Sequence, residues 1–152
     1  MKAVLLCAGF GTRLRPVTNL TPKCLVEIDE VPLLEIWLSS LLRNGISEVL
    51  INTHYLAEKI VSFVQKSQWA DQITVVHEEE LLGTAATISK NSNFFNDEPV
   101  MIIHADNLAI FSVENFIQSH HSRPEDAEIT MIIFDTLKPK ECGIVELDEN
   151  NI

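Results

Sequence analysis

Leu5-Leu6-Cys7-Ala8-Gly9-Phe10-Gly11-Thr12-Arg13-Leu14-Arg15-Pro16 is the stretch whose reading decides the fold. The apolar run at residues 3–6 that leads into it reads as a buried strand. It ends on two glycines spaced by one residue, where the backbone can lie close to a ligand. Successive amides in such a turn make a concave nest for phosphate oxygens. The third glycine of the dinucleotide fingerprint is absent, with Arg13 or Leu14 in its place, and so is the Gly-Lys-Ser/Thr of a P-loop. A lone Gly-x-Gly is more often an ordinary turn with solvated arginines. The charge around this one argues for more. The formal net charge is −11, yet Arg13, Arg15 and Lys23 all precede the first acidic residue, Glu27. A cationic loop on an acidic protein draws in a polyanion such as a nucleoside triphosphate.

Outward from that loop, strand-like runs recur at residues 48–51, 73–76, 100–104 and 129–134. Helix-like stretches at 33–44, 56–66, 84–90 and 113–121 lie between them. Such alternation predicts βαβ units and an α/β fold, a doubly wound, mostly parallel sheet with flanking helices. The 152 residues read as a single domain, 1–152, with no linker or repeat. In open α/β sheets, ligands sit beyond the carboxyl ends of the strands. That rule selects the glycine loop, Asn52-Thr53-His54-Tyr55, the segment from Glu78 to Thr84, and Ala105-Asp106-Asn107.

The acidic balance argues against nucleic-acid or anionic-membrane partners. Cys7, Cys24 and Cys142 are scattered without CxxC spacing, which suits reduced thiols and gives no support for zinc. The first apolar run is too short for a signal peptide, and no run approaches a membrane span. A cytoplasmic protein is expected.

Two segments carry candidate chemistry. Asp106, just past a buried strand, is placed to hold Mg²⁺, which prefers carboxylate and phosphate oxygens. A loop aspartate capping the next turn would look the same. His77-Glu78-Glu79-Glu80-Leu81-Leu82-Gly83-Thr84-Ala85 reads either as a solvated acidic turn with Thr84 as N-cap, or as a base site. In the second case Gly83 lets a flat base approach, and a carboxylate accepts from guanine N1–H and N2–H.

AGFGTRLRPVTNLTPKCLVEI, residues 8–28, closely resembles GxGTRLxPxTxxxPKxLxxI, the opening signature of the sugar-1-phosphate nucleotidyltransferases. The resemblance implies a Rossmann-like nucleotidyltransferase fold. It puts Arg13 on the leaving β/γ phosphates, Lys23 near the α-phosphate and Asp106 on Mg²⁺. Leu6, Ala8, Gly9, Gly11 and Thr12 would supply backbone contacts, while Glu78, Gly83 and Thr84 would meet the base. The His77–Ala85 segment looks like the HEEExLGTAG run of mannose-1-phosphate guanylyltransferases, which implies GTP and a sugar 1-phosphate as substrates. Thymidylyltransferases usually carry glutamine and a GLAQA-like run, and a thymidylyl- or uridylyltransferase stays an alternative.

Departures are Ala86 for the second glycine, Ala105 for Gly or Ser, and Cys142 for a tyrosine. The resemblance covers the nucleotide-binding half of a family member. The Glu-Lys-Pro motif and a second metal-binding aspartate would lie beyond Ile152. The expectation is therefore a truncated fold, with a nucleotide-binding fragment without turnover as an alternative. Self-association through the surface the other half would cover is expected with it.

Overall fold

The computed structural model describes residues 1–96 and 98–147. It divides into two compact units, Met1–Glu114 and Asn115–Ile152.

In the first unit, β1 (Lys2–Leu6) takes the centre of the sheet because Ala3, Val4 and Leu5 are apolar in succession and wholly buried. A strand covered on both faces needs such an unbroken run. Burying each large side chain is worth about 1.5–3 kcal/mol, enough to fix where the loop after β1 begins. Two two-residue strands follow, β2 (Glu27–Ile28) and β3 (Val31–Pro32), paired antiparallel. They form no part of the main sheet.

Helix α1 (Leu33–Leu42) buries Leu33, Leu34, Trp37, Leu38 and Leu41, the one-sided spacing of an amphipathic helix. It stops two residues short of the expected 44, because the Asn44 and Ile46 amides turn back to Leu41 O and close its end. β4 (Val49–Thr53) is buried along its whole length. Helix α2 (Ala57–Lys66) starts one residue later than expected, since Leu56 sits in the left-handed region at φ 50°. β5 (Ile73–His77), α3 (Thr84–Lys90), the short α4 (Ser92–Phe95) and β6 (Val100–His104) complete the unit, and α5 (Val113–His121) begins at its end.

The strand order is β5-β4-β1-β6, with every neighbour parallel. The register sets Ala3 beside Val49 and Met101, and Leu6 beside Asn52 and His104. From β1 the chain steps outward to β4 and β5, then returns to place β6 on the other side of β1. The order reverses between β1 and β6, so the crevice at their carboxyl ends is the switch point where open α/β sheets bind ligands.

In the second unit, Arg123 Nε donates to Ala127 O and its Nη1 to His120 O, each at 2.6 Å. Burial first, then the charges of Arg123 and His121, hold the pKa of His120 below its usual value. The strand expected at 129–134 does not form. Ile129, Met131 and Phe134 are exposed, and the run finds no ladder partner among the described residues. Strand propensity without a partner strand leaves extended chain. Asp148 and the end at Ile152 lie outside the described residues.

Candidate functional site

The loop after β1 is set by Gly11, which takes φ +62°. A Cβ there would meet Thr18 Cγ2 at 3.0 Å and Lys23 Cβ at 3.3 Å, so a side chain would be crowded as well as strained by the left-handed backbone. Thr18, wholly buried, donates its hydroxyl to Gly11 O at 2.7 Å. Tyr55 Oη donates to Thr18 O at 3.0 Å, and Lys59 Nζ donates to Leu20 O. Phe10 packs edge-on against His54, with centroids 5.3 Å apart. The β4–α2 segment thus holds the loop after β1 by side-chain contacts.

Lys23 follows in a short 3-10 turn (Lys23–Leu25), and its Nζ pairs with Asp106 Oδ2 at 2.7 Å. These residues are 83 apart in sequence and meet at the switch point. Trp37 Nε1 donates to Asn107 O at 2.9 Å, so α1 holds the loop that carries Asp106.

One cleft, open to solvent, joins these parts. Of the residues expected at the site, Leu6, Ala8, Gly9, Gly11, Lys23, Gly83, Thr84 and Asp106 line it. Gly83 stands at the N-cap of α3 with φ +77°, and Thr84 is the first helical residue, not the cap. Arg13 and Thr12, both exposed, lie outside the lining, and Glu78 is buried behind it.

Cys7, Cys24, Asn52, Leu81 and His104 also line the cleft. Asn52 and His104 sit at the strand ends that the carboxyl-edge rule selected, but nothing local distinguished them from their neighbours. The Cys7 thiol is pushed well above its usual range, first by its hydrogen bond with Cys24, then by burial. It stays protonated and packs, which argues against thiolate chemistry.

Glu78 contradicts the simple picture of a carboxylate facing a base. It is 2 % exposed and accepts hydrogen bonds from Thr87 Oγ1, Asn52 Nδ2 and Leu82 N. Burial alone would raise its pKa, but those three donors and the Lys90 charge outweigh it and hold the carboxyl below its ordinary value.

For a metal, no cluster of three or more His, Cys, Asp or Glu exists among the described residues. Asp106 is the carboxylate on the cleft wall, a hard oxygen donor suited to Mg²⁺ if phosphate oxygens and water supply the other positions. Among the described residues no helix is long and apolar enough to cross a membrane.

Comparisons with known proteins bear on the family and the fold. The chain is 31 % identical over 153 residues to the mannose-1-phosphate guanylyltransferase catalytic subunit beta of Drosophila melanogaster, covering 98 % of this chain and 41 % of that protein. It thus spans about two-fifths of the length of the curated relatives it matches. HddC from Yersinia pseudotuberculosis, solved in complex with GMP-PN, superposes with a TM-score of 0.69 at 26 % identity, covering 80 % of this chain and 54 % of that one. The CTP:phosphocholine cytidylyltransferase LicC from Streptococcus pneumoniae superposes at 0.62 with 28 % identity, covering 74 % and 47 %. The model of the family described as nucleotidyl transferase matches residues 2–152, and the chain belongs to that family.

Proposed function

We propose that the cleft binds a nucleoside triphosphate, and that the protein of which it forms the site transfers the nucleotide to a sugar 1-phosphate, giving a nucleotide sugar and pyrophosphate. GTP and mannose 1-phosphate are the substrates we favour, in the cytoplasm. The observation that carries the reading is the Lys23–Asp106 pair, 2.7 Å apart beside the glycine loop at the switch point. The names of the relatives support the guanylyl assignment.

In this reading a sugar-phosphate oxygen attacks the α-phosphorus in line, and pyrophosphate leaves. Little covalent protein chemistry is needed, and catalysis rests on positioning and charge neutralisation. The backbone from Leu6 to Thr12 cradles the phosphates. Lys23 neutralises charge at the α-phosphate, and Arg13, exposed at the rim, folds onto the leaving β/γ oxygens. Gly83 and Thr84, both exposed, leave the base room to lie against the start of α3. Asp106 would hold Mg²⁺, which when bound neutralises phosphate charge; the ammonium of Lys23 occupies that carboxylate until then.

Thermal shifts with GTP, dTTP, UTP, CTP and ATP, with and without Mg²⁺, test the proposal on wild type and Arg13→Ala. A ligand at a hundredfold excess over its Kd stabilises by about 2.7 kcal/mol. The largest shift is expected for GTP with Mg²⁺, and it should shrink in Arg13→Ala. A larger shift with dTTP or UTP would move the assignment to a thymidylyl- or uridylyltransferase. No shift with any of the five would overturn nucleotide binding. Binding without turnover in a GTP-plus-mannose 1-phosphate assay would leave a nucleotide-binding fragment.

A further inference from the structure

Glu78 is the most deeply buried carboxylate of the cleft region, and a charge taken out of water persists only where donors surround it. Thr87 Oγ1 and Asn52 Nδ2 donate to its Oε1 at 2.5 and 2.9 Å, and Leu82 N donates to its Oε2 at 3.1 Å. Asn52, 3 % exposed, in turn accepts the Cys7 amide on its Oδ1 at 2.8 Å. A continuous path therefore runs from the Cys7 amide through Asn52 and Glu78 to the Leu82 amide. One end is the first residue of the glycine loop. The other is the turn that carries Gly83 and Thr84. Cys7, Asn52, Gly83 and Thr84 line the cleft, while Glu78 braces it from behind.

The residue types fit this task. Position 52 must accept from an amide and donate to a carboxylate at once, and a carboxamide does both. Its orientation is dictated by the surroundings. A flipped amide would set its NH₂ against the Cys7 N–H and its oxygen against the Glu78 carboxylate. Position 78 must accept on both oxygens. Glutamine there would face its NH₂ either to the Asn52 NH₂ or to the Leu82 N–H.

We propose that Asn52 and Glu78 are positioning residues that form a buried strut, fixing the spacing between the glycine loop and the Leu82–Thr84 turn. The strut rests on the reading of the cleft as a nucleotide site, for it would set the distance between triphosphate and base. A ligand that bridges two subsites gains from both only when their spacing is held in advance.

The test uses Asn52→Asp, Glu78→Gln and the double variant. Each single change sets like against like, two carboxylates or two donors. In the double variant, the carboxylate now at position 52 accepts from the Cys7 amide and from the NH₂ of the carboxamide now at position 78. The oxygen of that carboxamide accepts the Leu82 amide. The path re-forms with its polarity reversed. Binding of GTP, guanosine and inorganic triphosphate is titrated in Mg²⁺ buffer.

Each single variant should weaken GTP about tenfold, as one buried hydrogen bond is worth. In Glu78→Gln, which adds no charge to the lining, the two fragments should bind as in wild type, and the double variant should recover GTP. A role in stability alone would weaken all three ligands together. Equal losses, no loss of GTP, or no recovery in the double variant would overturn the strut. If wild type binds no nucleotide, the functional reading fails and the strut is decided without ligand. Hydrogen exchange at the Cys7 amide, which Glu78 does not touch, should speed up in Glu78→Gln and slow again in the double variant. Unchanged exchange there would overturn the coupling.

Discussion

Gly11 shows how little freedom the loop has at single positions. Its φ of +62° and the 3.0 Å approach of Thr18 Cγ2 make a Cβ there both strained and crowded. Gly11→Ala should lower unfolding free energy by about 1–2 kcal/mol from the left-handed backbone alone, measured by urea denaturation. A variant as stable as wild type would contradict the loop conformation. Glu78 carries a pH signature. Burial works to raise its pKa, but Thr87, Asn52 and the Leu82 amide hold it below the ordinary value, about 4.3. The ionised form therefore stabilises the fold above that pH, and the stabilisation is lost as pH falls through the lowered value. Wild type should lose its advantage over Glu78→Gln on acidification below about pH 4.3. A stability difference independent of pH would count against an ionised Glu78. The strut itself is not legible in the sequence, where Glu78 reads either as part of a solvated acidic turn or as a residue facing the base. Its burial comes from the register of β4 and β5, which sets Thr53 beside His77 and brings residues 52 and 78 together across the sheet.

At the level of elements, the strands and long helices were legible because their periods are strong. Trp37 is buried in the packing of α1, and it also holds the loop after β6 through Asn107 O. Trp37→Phe keeps an aromatic ring and loses that donor. It should cost about 1–2 kcal/mol and weaken Mg²⁺-dependent nucleotide binding, since Asp106 precedes the released carbonyl. Normal binding with lowered stability would confine Trp37 to packing. The β2–β3 ribbon escaped notice because its turn is Asp29-Glu30, both at positive φ, where Asn-Gly is the usual signal. Glu30→Gly should raise stability by about 0.5–1 kcal/mol, the left-handed penalty less the entropy glycine adds to the unfolded chain. An unchanged melting temperature would contradict that. The run at 129–134 was misread for the opposite reason. Its composition suits a strand, but composition cannot supply a neighbour to pair with.

Across the first unit, four parallel strands bring four separate loops to one edge, and the reversal between β1 and β6 puts Lys23 opposite Asp106. That convergence was legible, because the strand-end rule needs strand positions and not their order. The ion pair itself needed the order β4-β1-β6, which no local pattern encodes. Both side chains stay partly exposed, at 21 % and 35 %, so the pair adds only about 0–1 kcal/mol to stability. Removing it should thus appear in ligand binding and hardly in melting temperature. Asp106→Asn separates the two. Calorimetric titration of GTP into wild type and Asp106→Asn, each with and without Mg²⁺, is the most direct measurement. Wild type should bind more tightly with Mg²⁺ than without, and Asp106→Asn should fold normally yet lose that difference. Failure of wild type to bind GTP, or the same Mg²⁺ dependence in both proteins, would contradict the cleft as a metal-assisted nucleotide site.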